Sequence, residues 1–336
     1  MDVGITRQLV EMARAKTGDR EAAVSALTVL PGHAGQSYSF ELEYRGDDGG
    51  AMREKLVLRL APEGVRIAGP ADVARQARIM QSLAGTAVAV PPVKWIEDDS
   101  RWFGRPFFVV GFLRGDKLAL GEGVYAAAES RRLGRLAAET LAALHAVAWE
   151  PRCAVWGDPF TLADEMMRLD TLIDRPTLDP KTVARAPELR ERLKYTLAPN
   201  PRIGCVHGDY QWSNCLYSDG RLVAVMDWEL AQIGAVLIDL GWLCLFSDRD
   251  SWVLTDLVPE HTGAPDEIAA IYREAVSYPV SETDVRWFRA FAGYRFGIIT
   301  AFNLMLHRRG KRADPTWEDI AVSAPRLFER GLELIG

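Results

Sequence analysis

The stretch Val206-His207-Gly208-Asp209-Tyr210-Gln211-Trp212-Ser213-Asn214, followed by Val225-Met226-Asp227-Trp228-Glu229, constrains this chain more than any other. Asp209 and Asn214 stand five residues apart, and Asp227 follows thirteen residues later. Two β-like runs lie around them, Cys215 to Ser218 and Leu222 to Asp227, joined at Asp219-Gly220. The fold must therefore bring polar oxygens out at the ends of apolar strands. A carboxylate carried on Leu222-Val223-Ala224-Val225-Met226 is costly to bury without a partner, which favours a metal or another cation beside Asp227. A neutral oxygen from Asn214 and a charged one from Asp227 suit a hard cation that keeps waters and phosphate ligands. Asp209 then stands where a base for an acceptor hydroxyl is needed. Each residue has a plainer alternative: a turn-capping Asp209, a turn-forming Asn214, a strand-end Asp227. The joint spacing in a strand-loop-strand setting favours the chemical reading.

With 336 residues the chain is long enough for two lobes or domains with a large core. Its 48% apolar and 26% charged residues are ordinary for a soluble globular protein. A formal charge of -6 argues against a nucleic-acid surface as the main purpose. Four cysteines (Cys153, Cys205, Cys215, Cys244) form neither a disulfide framework nor a CxxC site, so buried thiols in a reducing compartment are expected. The N-terminal stretch shows no apolar signal region, and no run of about 18 uninterrupted apolar residues occurs. The expectation is a cytoplasmic protein with no membrane span.

The order of elements divides near Gly115. Before it, a helix is expected from Thr6 to Lys16 and β-like runs at Ala26 to Leu30, Ser37 to Tyr44 and Lys55 to Leu60. A helix at Ala71 to Leu83 and β-like runs at Val93 to Glu97 and Phe107 to Leu113 complete that half. After it come expected helices at Tyr125 to Trp149, Leu162 to Ile173, Pro187 to Thr196, Asp266 to Ala275, Asp284 to His307 and Thr316 to Leu334. This is an α+β chain. Residues 1–114 form a small β-rich lobe, a five-stranded sheet plus a helix, and residues 115–336 a larger, mostly helical lobe.

Other signals are weaker. His207 reads as a scaffold residue that hydrogen-bonds backbone around the loop, since no G-x-S-x-G nucleophile elbow exists for it to serve. HExxH and the Walker A pattern are absent too. Gly32, Gly35 and Ser37 in Pro31-Gly32-His33-Ala34-Gly35-Gln36-Ser37 are suited to let backbone N–H groups approach phosphates, with an ordinary hairpin as the alternative. Arg59, on Leu56-Val57-Leu58-Arg59, is either a phosphate-contacting cation or a strand-edge surface Arg.

The H-x-D-x-x-x-x-N spacing followed by Asp227 matches the kinase catalytic loop and its metal-binding Asp. With Val57-Leu58-Arg59, Leu144-His145-Ala146-Val147, Gly234 and Asp239-Leu240-Gly241-Trp242, the chain resembles the aminoglycoside phosphotransferase family over roughly residues 25–245. The branch it is most similar to is that of the kinase-like domains associated with acyl-CoA dehydrogenases. The resemblance implies a protein-kinase-like two-lobe fold, ATP and Mg²⁺ as cofactors, Asp209 as the base, and Asn214 and Asp227 as metal ligands. It makes Asp239 a carboxylate bracing the catalytic loop, and Arg59 with Gly35, Ser37 and Gln76 the nucleotide-side residues. Two departures stand out: Arg59 occupies the usual Lys position, and Gln76 the position of the Glu that would pair with it. A smaller one is Ala235-Val236, where the family often has Asp-Pro.

The implied reaction is transfer of phosphate to a hydroxyl of a small molecule. Asp164, Glu165 and Arg295 are weak candidates for substrate contact, and a solvated helix face explains the two acids equally well. The aromatics of the 284–307 helix read first as core; any that line the site would suit an apolar or anionic hydroxylated metabolite better than an antibiotic. A nucleotide-binding pseudokinase and a non-catalytic ligand-binding module are the alternatives.

Overall fold

The structure, a computed structural model, describes residues 3–30, 36–64, 66–118, 125–197, 201–254, 258–259 and 262–336. It separates into two compact units, residues 1–114 with 224–231, and residues 115–223 with 232–336. The first is built on a small antiparallel sheet and the second is mostly helical, which is the protein-kinase-like fold class.

In the first unit, α1 (Val3–Thr17) precedes β1 (Ala23–Leu30), β2 (Gln36–Arg45) and β3 (Ala51–Leu60). Then follow α2 (Val73–Leu83), β4 (Val93–Glu97) and β5 (Phe107–Gly111). The strands form one sheet in the order β1-β2-β3-β5-β4. β2 and β3 turn at Gly46 to Gly50, where the Gly46 N–H donates to the Gly50 carbonyl at 2.9 Å. Alternation along β3 sends Leu56, Leu58 and Leu60 into a core with Leu9, Met12, Phe40, Leu42, Phe107 and Val109. Arg59 therefore lies on the other face. β1 starts three residues earlier than its sequence pattern suggested, because Ala26 (φ 52°) sits at an irregularity in the β1–β2 ladder that interrupts the alternation. The Asp72 side chain accepts from the Arg75 N–H and starts α2 two residues later than expected.

The second unit contains β6 (Asp116–Lys117), α3 (Ala127–His145), α4 (Cys153–Trp156), α5 (Leu162–Ile173) and α6 (Ala186–Tyr195). β7 (Ile203–Val206), β8 (Cys215–Ser218), β9 (Arg221–Val225), β10 (Gln232–Ala235) and α7 (Leu237–Leu245) follow. α8 (Pro265–Ala275), α9 (Glu282–Arg308), α10 (Thr316–Ala321) and α11 (Ala324–Ile335) end the chain. The β7–β10 pair is antiparallel, with Val206 opposite Gln232. The single helix expected at 316–334 is two, parted at Val322-Ser323 just before Pro325, which takes a first-turn position of α11. α7 lies within the apolar run Leu230–Phe246, and every one of its nine residues is buried. That is why it shows no amphipathic stripe. A Cβ on Gly241 would come 2.2 Å from the Phe288 carbonyl oxygen, so glycine is what lets α7 lie against the α9 backbone.

All four cysteines are free; burial pushes the Cys205 thiol up to about 11 and those of Cys215 and Cys244 to about 12. Among the described residues no helix is long and apolar enough to cross a membrane.

Candidate active site

The candidate residues fall into two clusters, one within each unit. In the second unit β7 ends at Val206 and delivers His207, Gly208 and Asp209 in sequence. Gly208 has φ 84°, a left-handed turn that a side chain would strain. Its N–H donates to Asp239 Oδ1 at 2.8 Å, and the His207 N–H donates to Asp239 Oδ2 at 2.6 Å. Asp239 is fully buried on α7, so these charge-assisted bonds compensate a carboxylate removed from water. His145 Nε2 lies 3.4 Å from the same Oδ2, and its Nδ1 is 2.7 Å from Tyr272 Oη, which orients the imidazole. His207 Nδ1 accepts the Asp209 N–H at 3.2 Å, which closes the loop on itself.

Asp209 is half-buried, and its carboxylate meets side-chain donors on both oxygens. Oδ1 accepts from Trp242 Nε1 at 2.7 Å and Gln211 Nε2 at 3.0 Å, while Oδ2 accepts from Asn214 Nδ2 at 2.9 Å. Asn214 Nδ2 also reaches the Asp209 carbonyl at 2.9 Å. Its amide nitrogen is thus turned to Asp209, and its oxygen is the atom left to face a cation.

Asp164, Glu165 and Arg295, the weak candidates for substrate contact, each have partners within the protein. The Asp164 carboxylate closes the capping box of α5, accepting from the Thr161 N–H at 2.9 Å and its hydroxyl at 2.7 Å. Glu165 is 3% exposed and bound by both Arg168 Nε (2.8 Å) and Nη2 (2.7 Å), with Arg295 Nε 2.9 Å away. Burial alone would raise its carboxyl, but the Arg168 bonds and the Arg295 charge outweigh it and hold the pKa below the ordinary range. Arg295 donates through Nη1 to the Gly208 carbonyl at 2.8 Å and lies over the Trp242 ring at 4.6 Å. Both residues brace the loop.

In the first unit, β9 has ended at Val225, two residues before Asp227. The Val225 N–H donates to the Ala89 carbonyl at 2.8 Å, and Arg75 Nη2 donates to the Ala231 carbonyl at 2.6 Å, which pins the segment at both ends. Asp227 adopts φ 60°, ψ 65° at the start of the turn Trp228–Leu230. Left-handed backbone at a non-glycine residue costs on the order of 1–2 kcal/mol and is found most often where a side chain has to be aimed. Its Oδ1 is buried without a hydrogen bond, and Arg59 Nη2 lies 3.6 Å from it. The same Nη2 is 3.5 Å from Glu229 Oε2. Ser37 stands directly opposite Arg59 in the β2–β3 ladder. Gln76 is buried and donates to the Pro70 carbonyl at 2.9 Å. The expected Arg59–Gln76 pairing is therefore corrected: Glu229 and Asp227 supply the negative partners for Arg59. Gly35 lies outside the described residues.

In the sequence Trp242 and Glu229 stood out only as parts of the matching motifs, and neither they nor Gln211 carried a role. Trp242 was within reach: Asp239 and Trp242 are three apart, so reading Leu237–Leu245 as a helix puts both on one side of it.

The model of the phosphotransferase enzyme family matches residues 34–273. A plant relative from Arabidopsis thaliana, assigned as acyl-CoA dehydrogenase IBR3, is 25% identical over 331 residues, 90% of this chain. The match spans only 39% of that relative's length. A Ralstonia eutropha protein assigned as an aminoglycoside phosphotransferase superposes with a TM-score of 0.76 at 20% identity, covering 98% of both chains. A thermostable mutant of the aminoglycoside phosphotransferase APH(4)-Ia, in ternary complex with ADP and hygromycin B, gives 0.63 at 16% identity. It covers 97% of this chain and 98% of its own. These superpositions establish the fold, and the family model, spanning well over half of the chain, establishes membership: the chain belongs to the phosphotransferase enzyme family.

Proposed function

We propose that the chain transfers phosphate from ATP, in the presence of Mg²⁺, to a hydroxyl group of a small molecule. The observation that carries this reading is the Asp209 carboxylate, bound on Oδ1 by Trp242 and Gln211 and on Oδ2 by Asn214. Those three bonds fix the carboxylate where it can take up or steer a hydroxyl proton. Asp227 fits a metal ligand: its buried Oδ1 has no hydrogen bond and only the ion pair with Arg59 at 3.6 Å, on a residue with left-handed backbone. The Asn214 oxygen is proposed as a further ligand for a hard cation, which takes its remaining ligands from phosphates and water. Bound Mg²⁺ would neutralise charge on the transferring phosphate. Arg59, with Ser37 across the ladder and Gly35 two residues before Ser37 in sequence, is assigned to the nucleotide phosphates, and Gln76 to holding the start of α2.

The acceptor class follows from what is already paired. On α5 the Asp164 and Glu165 carboxylates are bound by Thr161, Arg168 and Arg295, so they do not offer the charge a polycationic aminoglycoside needs. A hydroxylated acyl compound or related metabolite is the better match, a reading that the similarity to a protein assigned as an acyl-CoA dehydrogenase supports.

Asp209→Asn tests the chemistry. ATP consumption against a panel of hydroxylated metabolites is expected to fall by about 10²–10⁴-fold, with the KM for MgATP little changed. Full activity in the variant overturns the role of Asp209. MgATP binding without turnover by the wild type favours a pseudokinase, and ligand binding indifferent to MgATP favours a binding module.

A further inference from the structure

We infer that Trp242 is a positioning residue for the Asp209 carboxylate, and that Arg295 locks it in that role. The inference rests on the phosphotransfer reading and extends it to residues outside the H-x-D-x-x-x-x-N block. Trp242 is 3% exposed, and its Nε1 stands 2.7 Å from Asp209 Oδ1. An indole has one polar atom and can only donate. If the carboxylate pivoted away, that N–H would be left unpaired in apolar surroundings, so the bond restrains Asp209 as strongly as Asp209 satisfies the indole.

The ring itself has little freedom. Phe246 and Phe296 meet it edge to face, with centroids 5.7 Å and 5.5 Å away. The Arg295 guanidinium covers it at 4.6 Å, and a cation on the face polarises the ring and strengthens its N–H as a donor. Arg295 also holds the Gly208 carbonyl at 2.8 Å, the peptide immediately before Asp209. One guanidinium thus fixes both the backbone that carries the base and the ring that aims its side chain. Glu165, 2.9 Å from Arg295 and itself bound to Arg168, anchors that guanidinium from α5. The network runs from α5 through α9 and α7 to the reacting carboxylate, and a group held at two points keeps a near-attack geometry that a freely rotating one loses.

The test is steady-state MgATP hydrolysis by the full chain, with water as acceptor, for wild type, Trp242→Phe and Arg295→Lys. It is joined by ¹H–¹⁵N spectra of the indole groups in wild type and Asp209→Asn. Phenylalanine keeps an aromatic ring beneath Arg295 and removes the donor together with part of the buried ring volume. Its kcat is expected to drop by about 10- to 100-fold with the KM for MgATP within about twofold, the signature of a displaced catalytic group. Arg295→Lys, which keeps the charge and loses the Nη1 bond to the Gly208 carbonyl, is expected to lower kcat less and leave KM alone. One indole proton, missing from the Trp242→Phe spectrum, is expected to move upfield in Asp209→Asn, where its acceptor is no longer charged.

Unchanged kcat in a folded Trp242→Phe, or an effect confined to KM, overturns the role. If the Phe variant fails to fold, the other two measurements decide: an unchanged kcat in Arg295→Lys, or no indole proton moving in Asp209→Asn, overturns it. No hydrolysis by the wild type overturns the phosphotransfer reading and this role with it. Hydrolysis by wild type with an unaffected Phe variant overturns this role alone.

Discussion

Asp239 shows how much one buried residue can be asked to do. It accepts the His207 and Gly208 N–H groups, lies 3.4 Å from His145, and has no exposure to solvent. Replacing it with Ala leaves two buried backbone donors unpaired at the turn that carries Asp209. Asp239→Ala is expected to lose about 2–4 kcal/mol of stability, read from urea denaturation. An unchanged midpoint and slope would show that the loop is held by other means. Much of this layer was legible in the sequence because the chemistry is written in short spacings: Asp209, Asn214 and Asp227 are recognisable from their intervals alone. The partners were not. Glu229 as the counter-charge to Arg59, and Gln76 as a ligand of the Pro70 carbonyl, depend on how β3, α2 and the turn after β9 pack, and no local interval encodes that.

Among the elements, α5 and α9 carry a pH dependence that can be measured. The Glu165 pKa is depressed in the folded chain by Arg168 and Arg295, against the effect of its own burial. A carboxylate with a lowered folded pKa contributes stability that is complete above its unfolded value, near pH 4.3, and is lost as the pH falls through the folded value. Wild type is therefore expected to be more stable than Glu165→Gln at neutral pH, with the gap closing as the pH falls below the unfolded carboxyl value. A gap that stays constant as the pH falls would contradict the assigned charge interactions. Element reading from sequence succeeded where amphipathic or alternating patterns were strong: α5 and β4 lie where the pattern put them. It failed where burial erased the pattern. α7 is buried on every side, β7 and β10 are four residues each, and the last helix is two because Pro325 suits a helix start and not an interior.

At the scale of the whole molecule, the α+β character and the change from sheet to helix near Gly115 were readable from the order of elements. Assignment of residues 224–231 to the first unit was not, since it arises from the hydrogen bonds that Ala89 and Arg75 make to Val225 and Ala231 across a long separation in sequence. That short segment carries Asp227, so the central claim, a metal-dependent nucleotide site, is tested most directly there. The measurement is a calorimetric titration of ATP into the wild type and Asp227→Asn, each with and without Mg²⁺. Binding is expected to require Mg²⁺ and to weaken by about tenfold or more in the variant, a loss of at least about 1.4 kcal/mol. Absence of binding by the folded wild type, or binding equal with and without the metal and equal in Asp227→Asn, would contradict that claim.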